Sequence, residues 1–299
     1  MDKSFGKGII FALLSYVMWG VFPLYWKLLI AVDSLHILAF RILLSLVLVG
    51  AILLANKNTA WLTVFREPKK AAILIPTALL LCCNWGLYIW AVNRGHTIEA
   101  SLGYYINPLV SIVLGLVFFR ERLRPLQWVA AAIALTGVLI VTLASGALPW
   151  VSLVLALTFG FYGLLKKKLE LSALESLGAE TLASAPIGIF LLFFNFGSPA
   201  FSGLQGLGYL SGLPPQTLAL LALCGLVTVL PLYFFAHGAK MLPLSTLGFT
   251  QFINPTLQFA LGLFVFKEAF PVHHFVAFIF IWTAVIVYIA SLKQKKKEK

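Results

Sequence analysis

Ten apolar runs, each about as long as a bilayer-crossing helix, follow one another along the 299 residues, and nothing else constrains this chain as strongly. A hydrocarbon core about 30 Å thick takes about 17–25 residues of helix. The runs fall at 8–30, 34–55, 71–93, 97–119, 126–144, 148–165, 175–196, 216–238, 243–266 and 272–292. Only 11% of residues are charged and 61% are hydrophobic, whereas a soluble domain carries about 25% charged residues. Such a surface needs lipid as its solvent. The first run is too long for the apolar region of a signal peptide, and no small-residue cleavage site follows it. The expected fold is all-α and integral to the membrane, with ten transmembrane helices.

The net charge of +12 comes from Lys and Arg clustered between runs and in the tail 293–299. With the N-terminus in the cytoplasm, 18 cations fall inside, including Arg120, Arg122, Arg124 and Lys166 to Lys168. Only Lys27, Arg94 and Lys267 fall outside, and Arg41 lies within a span. The excess predicts that both termini are cytoplasmic in a bacterial inner membrane. Nucleic acid is excluded as a partner because no folded basic face exists to hold phosphates. The longest gap, 197–215, has five glycines, three prolines and no cation, and belongs outside.

An internal match indicates how the spans are arranged. Ile106-Asn107-Pro108, Gly115 and Arg120-Glu121 recur as Ile253-Asn254-Pro255, Gly262 and Lys267-Glu268, each pair 147 residues apart. Trp19-Gly20 matches Phe159-Gly160, and Ala39 matches Ala179, at an offset of 140. Each half then holds five spans, an odd number, so the two halves enter the membrane from opposite sides. Inverted repeats let one architecture open to either side in turn.

The fourth and ninth spans carry the polar chemistry. Tyr104, Asn107 and Ser111 share one helix face, and Gln251, Asn254 and Gln258 form the equivalent stripe. Pro108 and Pro255 each remove a backbone donor near mid-span and are the expected hinges. Amides and freed carbonyls there must be satisfied by protein, water or solute. The plain alternative is a structural kink in which the amides lock helix to helix.

Two ionisable groups lie within spans, where they are costly and usually face the bundle interior. Arg41 lies about 10 Å from the outer edge and Glu180 about 8 Å from the inner edge at 1.5 Å per residue, which argues against a direct pair. They read as opposite mouths of one pathway, with a cation-coupling role for Glu180 as the second functional reading, or as snorkelling or locally paired groups. Glu99 and His96 read as interfacial. Trp85, Tyr88, Tyr25 and Trp26 lie toward outer span ends, where belt residues belong. Trp19 near mid-span, with Asn84 and Tyr88 on one face, suits a wall for a mostly apolar or zwitterionic organic solute, with ordinary packing of the aromatics as the alternative. Lys27 reads as snorkelling outward or as holding a carboxylate at the mouth.

Cys82, Cys83 and Cys224 lie in apolar runs and read as buried, inert thiols without disulfide or zinc. The chain lacks H-E-x-x-H, G-x-S-x-G and a Walker loop, so neither an enzyme nor a cofactor is expected.

The run Asn84-Trp85-Gly86-Leu87-Tyr88-Ile89-Trp90-Ala91-Val92-Asn93, with Ser101-Leu102-Gly103-Tyr104-Tyr105-Ile106-Asn107-Pro108, resembles the RarD-type permeases. These form part of the EamA branch of the drug/metabolite transporter superfamily. Thr228-Val229-Leu230-Pro231-Leu232, Leu244 to Phe249 and Glu180-Thr181 fit the second half. Asn254 stands where the family pattern has a small apolar residue. The resemblance implies two EamA repeats, 5–145 and 147–292, before the tail 293–299. It also implies export of amino acids, other metabolites or drugs.

The expected function is a secondary transporter for a small organic solute, working by alternating access around a midplane site. Its alternatives are a membrane sensor or resistance-modifying protein that does not transport, and an integral-membrane enzyme acting on lipid. Solute identity, coupling ion and homodimer formation are not readable.

Overall fold

The computed structural model describes residues 3–93, 97–144, 150–193, 210, 212–267 and 272–294. Among them every regular element is helical. The elements are α1 (Lys3–Leu28), α2 (Ser34–Ala55), a short α3 (Ala60–Thr63) with a 3-10 turn (Val64–Arg66), and α4 (Pro68–Asn93). There follow α5 (Thr97–Phe118), α6 (Pro125–Ala144), α7 (Trp150–Lys168), α8 (Ala173–Phe193) and α9 (Pro215–Met241). The chain closes with α10 (Leu244–Gln251), α11 (Ile253–Ala260), a π-helical turn (Leu261–Val265) and α12 (Val272–Gln294).

Seven of the described helices are long and apolar enough to cross a bilayer. The other expected runs differ for local reasons. In α5 the long apolar part is Leu102–Phe118, and α8 carries Glu180 in its body. The run from Leu244 to Val265 is broken after Gln251, where Pro255 cannot donate to the Gln251 carbonyl. By contrast, α5 continues unbroken through Pro108. The gap at 56–70 between the second and third apolar runs is not empty of structure. It holds α3, which drives Trp61 under Gly50 and Gly178, leaving that ring 5% exposed.

Starts are set locally. Pro68, Pro125 and Pro215 occupy the first helical position, where a missing N–H costs nothing. The Asp33 carboxylate caps α2, accepting from the Leu35 and His36 amides at 2.9 and 3.4 Å.

The outer surface is as apolar as the interior. Ile10, Val17, Trp128, Leu139, Phe264 and Ile286 are exposed, while Ser45, Asn107, Thr228, Ser245, Thr246 and Asn254 are buried. That inversion is what a lipid-bathed bundle requires.

The helices pack in matched pairs. α1 lies on α9 as α7 lies on α4; α2 lies on α9 as α8 lies on α4; α1 meets α11 as α7 meets α5. α2 with α8, α5 with α10, and α6 with α12 also pair. Close crossings at glycine repeat the pattern. A Cβ on Gly20 would come within 2.7 Å of Leu257 Cβ, and one on Gly160 within 2.6 Å of Val110 Cγ1. Gly20 and Gly160 differ by 140 residues, and Val110 and Leu257 by 147, the two offsets of the internal match.

The first and last described helices bring the start of α1 and the end of α12 to one end of the bundle. Gly8 abuts Met241, the Arg124 guanidinium donates to the Ser291 carbonyl at 3.5 Å, and Asn58 donates to Glu175 at 2.7 Å. Lys167 donates to the Leu242 and Ala239 carbonyls. The clusters at 57–70, 120–124 and 166–168 therefore gather at this terminal end.

Candidate functional site

A cavity of about 80 Å³ lies where α1, α2, α4, α5, α7 and the α10–α11 break converge. Nine of the sequence-selected residues line it. Trp19, Asn84 and Tyr88 form part of its wall, Arg41 enters from α2, and Tyr104 and Asn107 come from α5. Gln251, Asn254 and Gln258 come from the broken segment. These groups meet because α5 and α10 cross closely at Gly248, where a Cβ would lie 2.6 Å from the Pro108 carbonyl oxygen.

The same crossing removes Ser111 from the cavity. Ser111 lies one turn beyond Asn107, packed at Gly248, with its hydroxyl 3.4 Å from Asn107 Oδ1. On the other side, Gln258 donates to Asn254 Oδ1 at 2.9 Å. The two asparagines are thus each partnered one turn along their own helix, and both are 3% exposed. Asn84 donates to the Leu155 carbonyl and to Thr158 Oγ1, both at 2.9 Å, which ties α4 to α7. The Tyr88 and Tyr104 rings meet edge-on at 5.7 Å.

Arg41 is 8% exposed. Its Nε donates to Thr228 Oγ1 at 3.1 Å, and its Cζ lies 4.1 Å from the Trp85 ring centre and 4.8 Å from that of Trp26. Trp85 and Trp26 therefore flank a buried cation and line the cavity, which corrects the belt reading for both. Lys27, by contrast, lies over the Phe266 ring at 4.0 Å.

Glu180 does not reach the cavity. Its Oε1 lies 2.7 Å from Lys166 Nζ, and Tyr162 donates to its Oε2 at 3.5 Å. Lys166 is wholly buried, so it is an internal partner and not one of the exposed cations with which the sequence grouped it. The reason is helical phase: α7 turns Lys166 inward beneath Tyr162, while Lys167 reaches the end of α9. Between this pair and the cavity lies a plug of rings. Trp19 and Phe159 are cavity-lining, and Phe235 stands 5.6 Å from the first and 5.4 Å from the second. Tyr162 stacks on Phe235 at 5.7 Å, and Tyr16 is packed beside Trp19 at 5.8 Å. A second closure sits nearby. The Glu121 carboxylate accepts from the Leu244 amide at 2.5 Å and from the Ser245 amide and hydroxyl at 2.9 and 2.6 Å, capping α10. The cavity is sealed toward the terminal end and extends the other way, where Trp26 lies two residues before α1 ends.

Sequence reading missed Phe22, Pro23, Gly103, Leu155 and Phe159 as lining residues. Signals for some were present. Phe22 and Trp26 follow Trp19 by three and seven residues, hence on its face, and Phe159 is the repeat partner of Trp19. His96, Glu268, most of 197–215 and the end of the tail lie outside the described residues, as does the side chain of Glu99 on the first turn of α5. Of the cysteines, Cys82 and Cys224 are buried but Cys83 is exposed, correcting the reading of three buried thiols. Among the described residues no cluster of ligands could hold a metal.

The model of the EamA-like transporter family matches residues 6–143. Protein RarD of Streptomyces exfoliatus is 43% identical, over 94% of this chain and 87% of that one. An uncharacterized transporter of Bacillus subtilis, YojE, is also 43% identical, over 98% of this chain and 97% of its own. A solved crystal structure superposes with a TM-score of 0.70, at 18% identity, covering 98% of this chain and 99% of that one; the likeness is one of fold. With an all-helical, lipid-suited bundle around a polar cavity, these likenesses establish that the chain is a multi-pass bacterial membrane transporter belonging to the EamA-like family, of the RarD type.

Proposed function

We propose that this protein is a secondary transporter carrying a small organic solute outward by alternating access between two inverted five-span repeats, 5–145 and 147–292. One observation carries the reading. The Asn-Pro segments of the two halves, 147 residues apart, converge on a single cavity that is sealed at one end and extends toward the other. The paired glycine crossings Gly20–Leu257 and Gly160–Val110 support the repeat relation. With the terminal end cytoplasmic, as the cation excess predicts, the cavity belongs to an outward-facing state. Alternation then requires the ring plug and the Glu121 cap to part while the opposite end closes. Asn107, Asn254, Gln251, Gln258 and Tyr104 would offer hydrogen bonds to the solute, Trp19 and Tyr88 would wall it, and Pro255 marks the hinge.

The test is a thermal-shift screen of amino acids, aromatic metabolites and amphenicols on purified protein, followed by flux of the hits in proteoliposomes. Transport is expected, with Asn107→Ala and Gln258→Ala each lowering uptake about tenfold. Unchanged kinetics in both variants would remove these residues from the site. Binding without flux would transfer the cavity to a sensing role.

A further inference from the structure

We propose that the cavity selects solutes bearing one carboxylate or similar organic anion on a flat apolar body, with Arg41 as the group that holds the charge. The inference rests on the reading of this cavity as the solute site, and it specifies the class that site accepts.

Arg41 is the one ionic side chain among the residues lining the cavity; Asp and Glu contribute none. Among the described residues no carboxylate pairs with it, and only Nε is engaged in a side-chain hydrogen bond, to Thr228. A buried guanidinium without a counter-charge is expensive in a membrane protein. Its position is nevertheless fixed with care. The rings of Trp85 and Trp26 hold Cζ at 4.1 and 4.8 Å, which gives the cation electrostatic support without supplying an anion. Thr228 pins Nε, while the two terminal nitrogens make no side-chain hydrogen bond among the described residues, on a residue that faces the cavity. A planar fork held in one orientation matches a carboxylate bidentately.

The other walls define what else the solute needs. Phe22, Phe159 and Trp19 offer apolar surface, and the asparagine and glutamine amides offer neutral hydrogen bonds. An amine would find no anion and would meet Arg41 as a like charge. A zwitterion would gain at the carboxylate but leave its ammonium with neutral partners only. Class discrimination therefore runs monoanion first, neutral amide and zwitterion next, amine last.

Isothermal titration of the full-length protein in detergent tests this with probes that share a body: phenylacetate, phenylacetamide, phenylalanine and phenethylamine, and the pair cinnamate and cinnamamide. In the wild type each acid should bind about tenfold or more tightly than its amide, with the amine weakest. Arg41→Gln should bring acid and amide to parity. Arg41→Lys should keep the sign of the preference at reduced size, since it retains charge but loses the fork and the stacking. Equal binding of acid and amide by the wild type, no binding of either acid, or an acid preference surviving in Arg41→Gln would each overturn the proposal. The wild-type ratio decides even if a variant fails to fold. Because titration needs no flux, the two readings fail separately. An acid preference without transport in proteoliposomes would sink the transporter mechanism alone. Transport of a neutral solute without an acid preference would sink the anion assignment alone.

Discussion

Arg120 and Lys267 share a left-handed backbone, with φ of 52° and 54°, although 147 residues separate them. Neither is glycine, so each conformation carries a steric cost that its surroundings must hold in place. Both follow a long helical segment, α5 in one case and the α11–π-turn run in the other, where a left-handed residue commonly ends a helix. The two segments run in opposite directions, which puts this shared turn at opposite ends of the bundle.

The first prediction concerns sidedness. In a cysteine-free background, single cysteines at Arg122 and Lys267 should label from opposite faces of the membrane. An impermeant maleimide on intact cells should reach position 267, while position 122 should react only after permeabilisation. Labelling of both from the same face would remove the inverted relation.

A buried ion pair gives the second. Glu180→Ala leaves the Lys166 ammonium uncompensated in a site where both groups are nearly inaccessible. Loss of one partner should cost about 3–5 kcal/mol, whereas Lys166→Met combined with Glu180→Leu should recover most of it. Thermal unfolding in detergent reads both. A double variant as unstable as the single one would mean that the pair is needed for more than charge balance.

Steric crowding gives the third. Gly20→Ala places a methyl against Leu257, and Gly160→Ala places one against Val110. Each should destabilise by roughly 1–3 kcal/mol, because the nearest atoms belong to stiff parts of neighbouring side chains. Leu257→Ala should relieve Gly20→Ala and leave Gly160→Ala unaffected. Relief of both by one substitution would contradict the packing.

The fourth is a pH effect at the α1–α2 turn. The hydrogen bond from His36 holds the Asp33 carboxyl below its ordinary value, helped by the backbone amides that it caps and opposed by partial burial. A carboxyl depressed in the folded state adds stability above its unfolded pKa, and that contribution is lost as pH falls through the folded value. Asp33→Asn keeps a capping oxygen but has no proton to gain. Wild type should therefore unfold at a higher temperature than Asp33→Asn at neutral pH. The gap should close toward about pH 3, below the ordinary carboxylate range. A gap that stays constant with pH would exclude this carboxyl as its source.

Much of the site was legible because it lies on helix faces. Tyr104 and Asn107 are three residues apart, as are Gln251 and Asn254, so spacing alone put each pair on one side of its rod. What spacing could not supply was the phase of one rod against another. Ser111 and Glu180 satisfy the same sequence criteria as their neighbours, yet one is covered at Gly248 and the other is bound to Lys166. Trp26 and Trp85 lie near span ends, where aromatics also serve as anchors at the lipid interface, and only the position of Arg41 between them distinguishes wall from belt.

The sequence by itself determined the solvent, the helical class, the internal offsets of 140 and 147, and the polar stripes. All of these follow from local composition and helical period. Tertiary structure decided which stripes meet, which charges pair and which end of the cavity is sealed. Those outcomes depend on contacts between segments more than a hundred residues apart, such as Glu121 with Ser245 and Arg41 with Thr228. In a bundle whose inner and outer faces are both apolar, hydrophobicity does not orient a helix. Close glycine crossings and buried polar partners do.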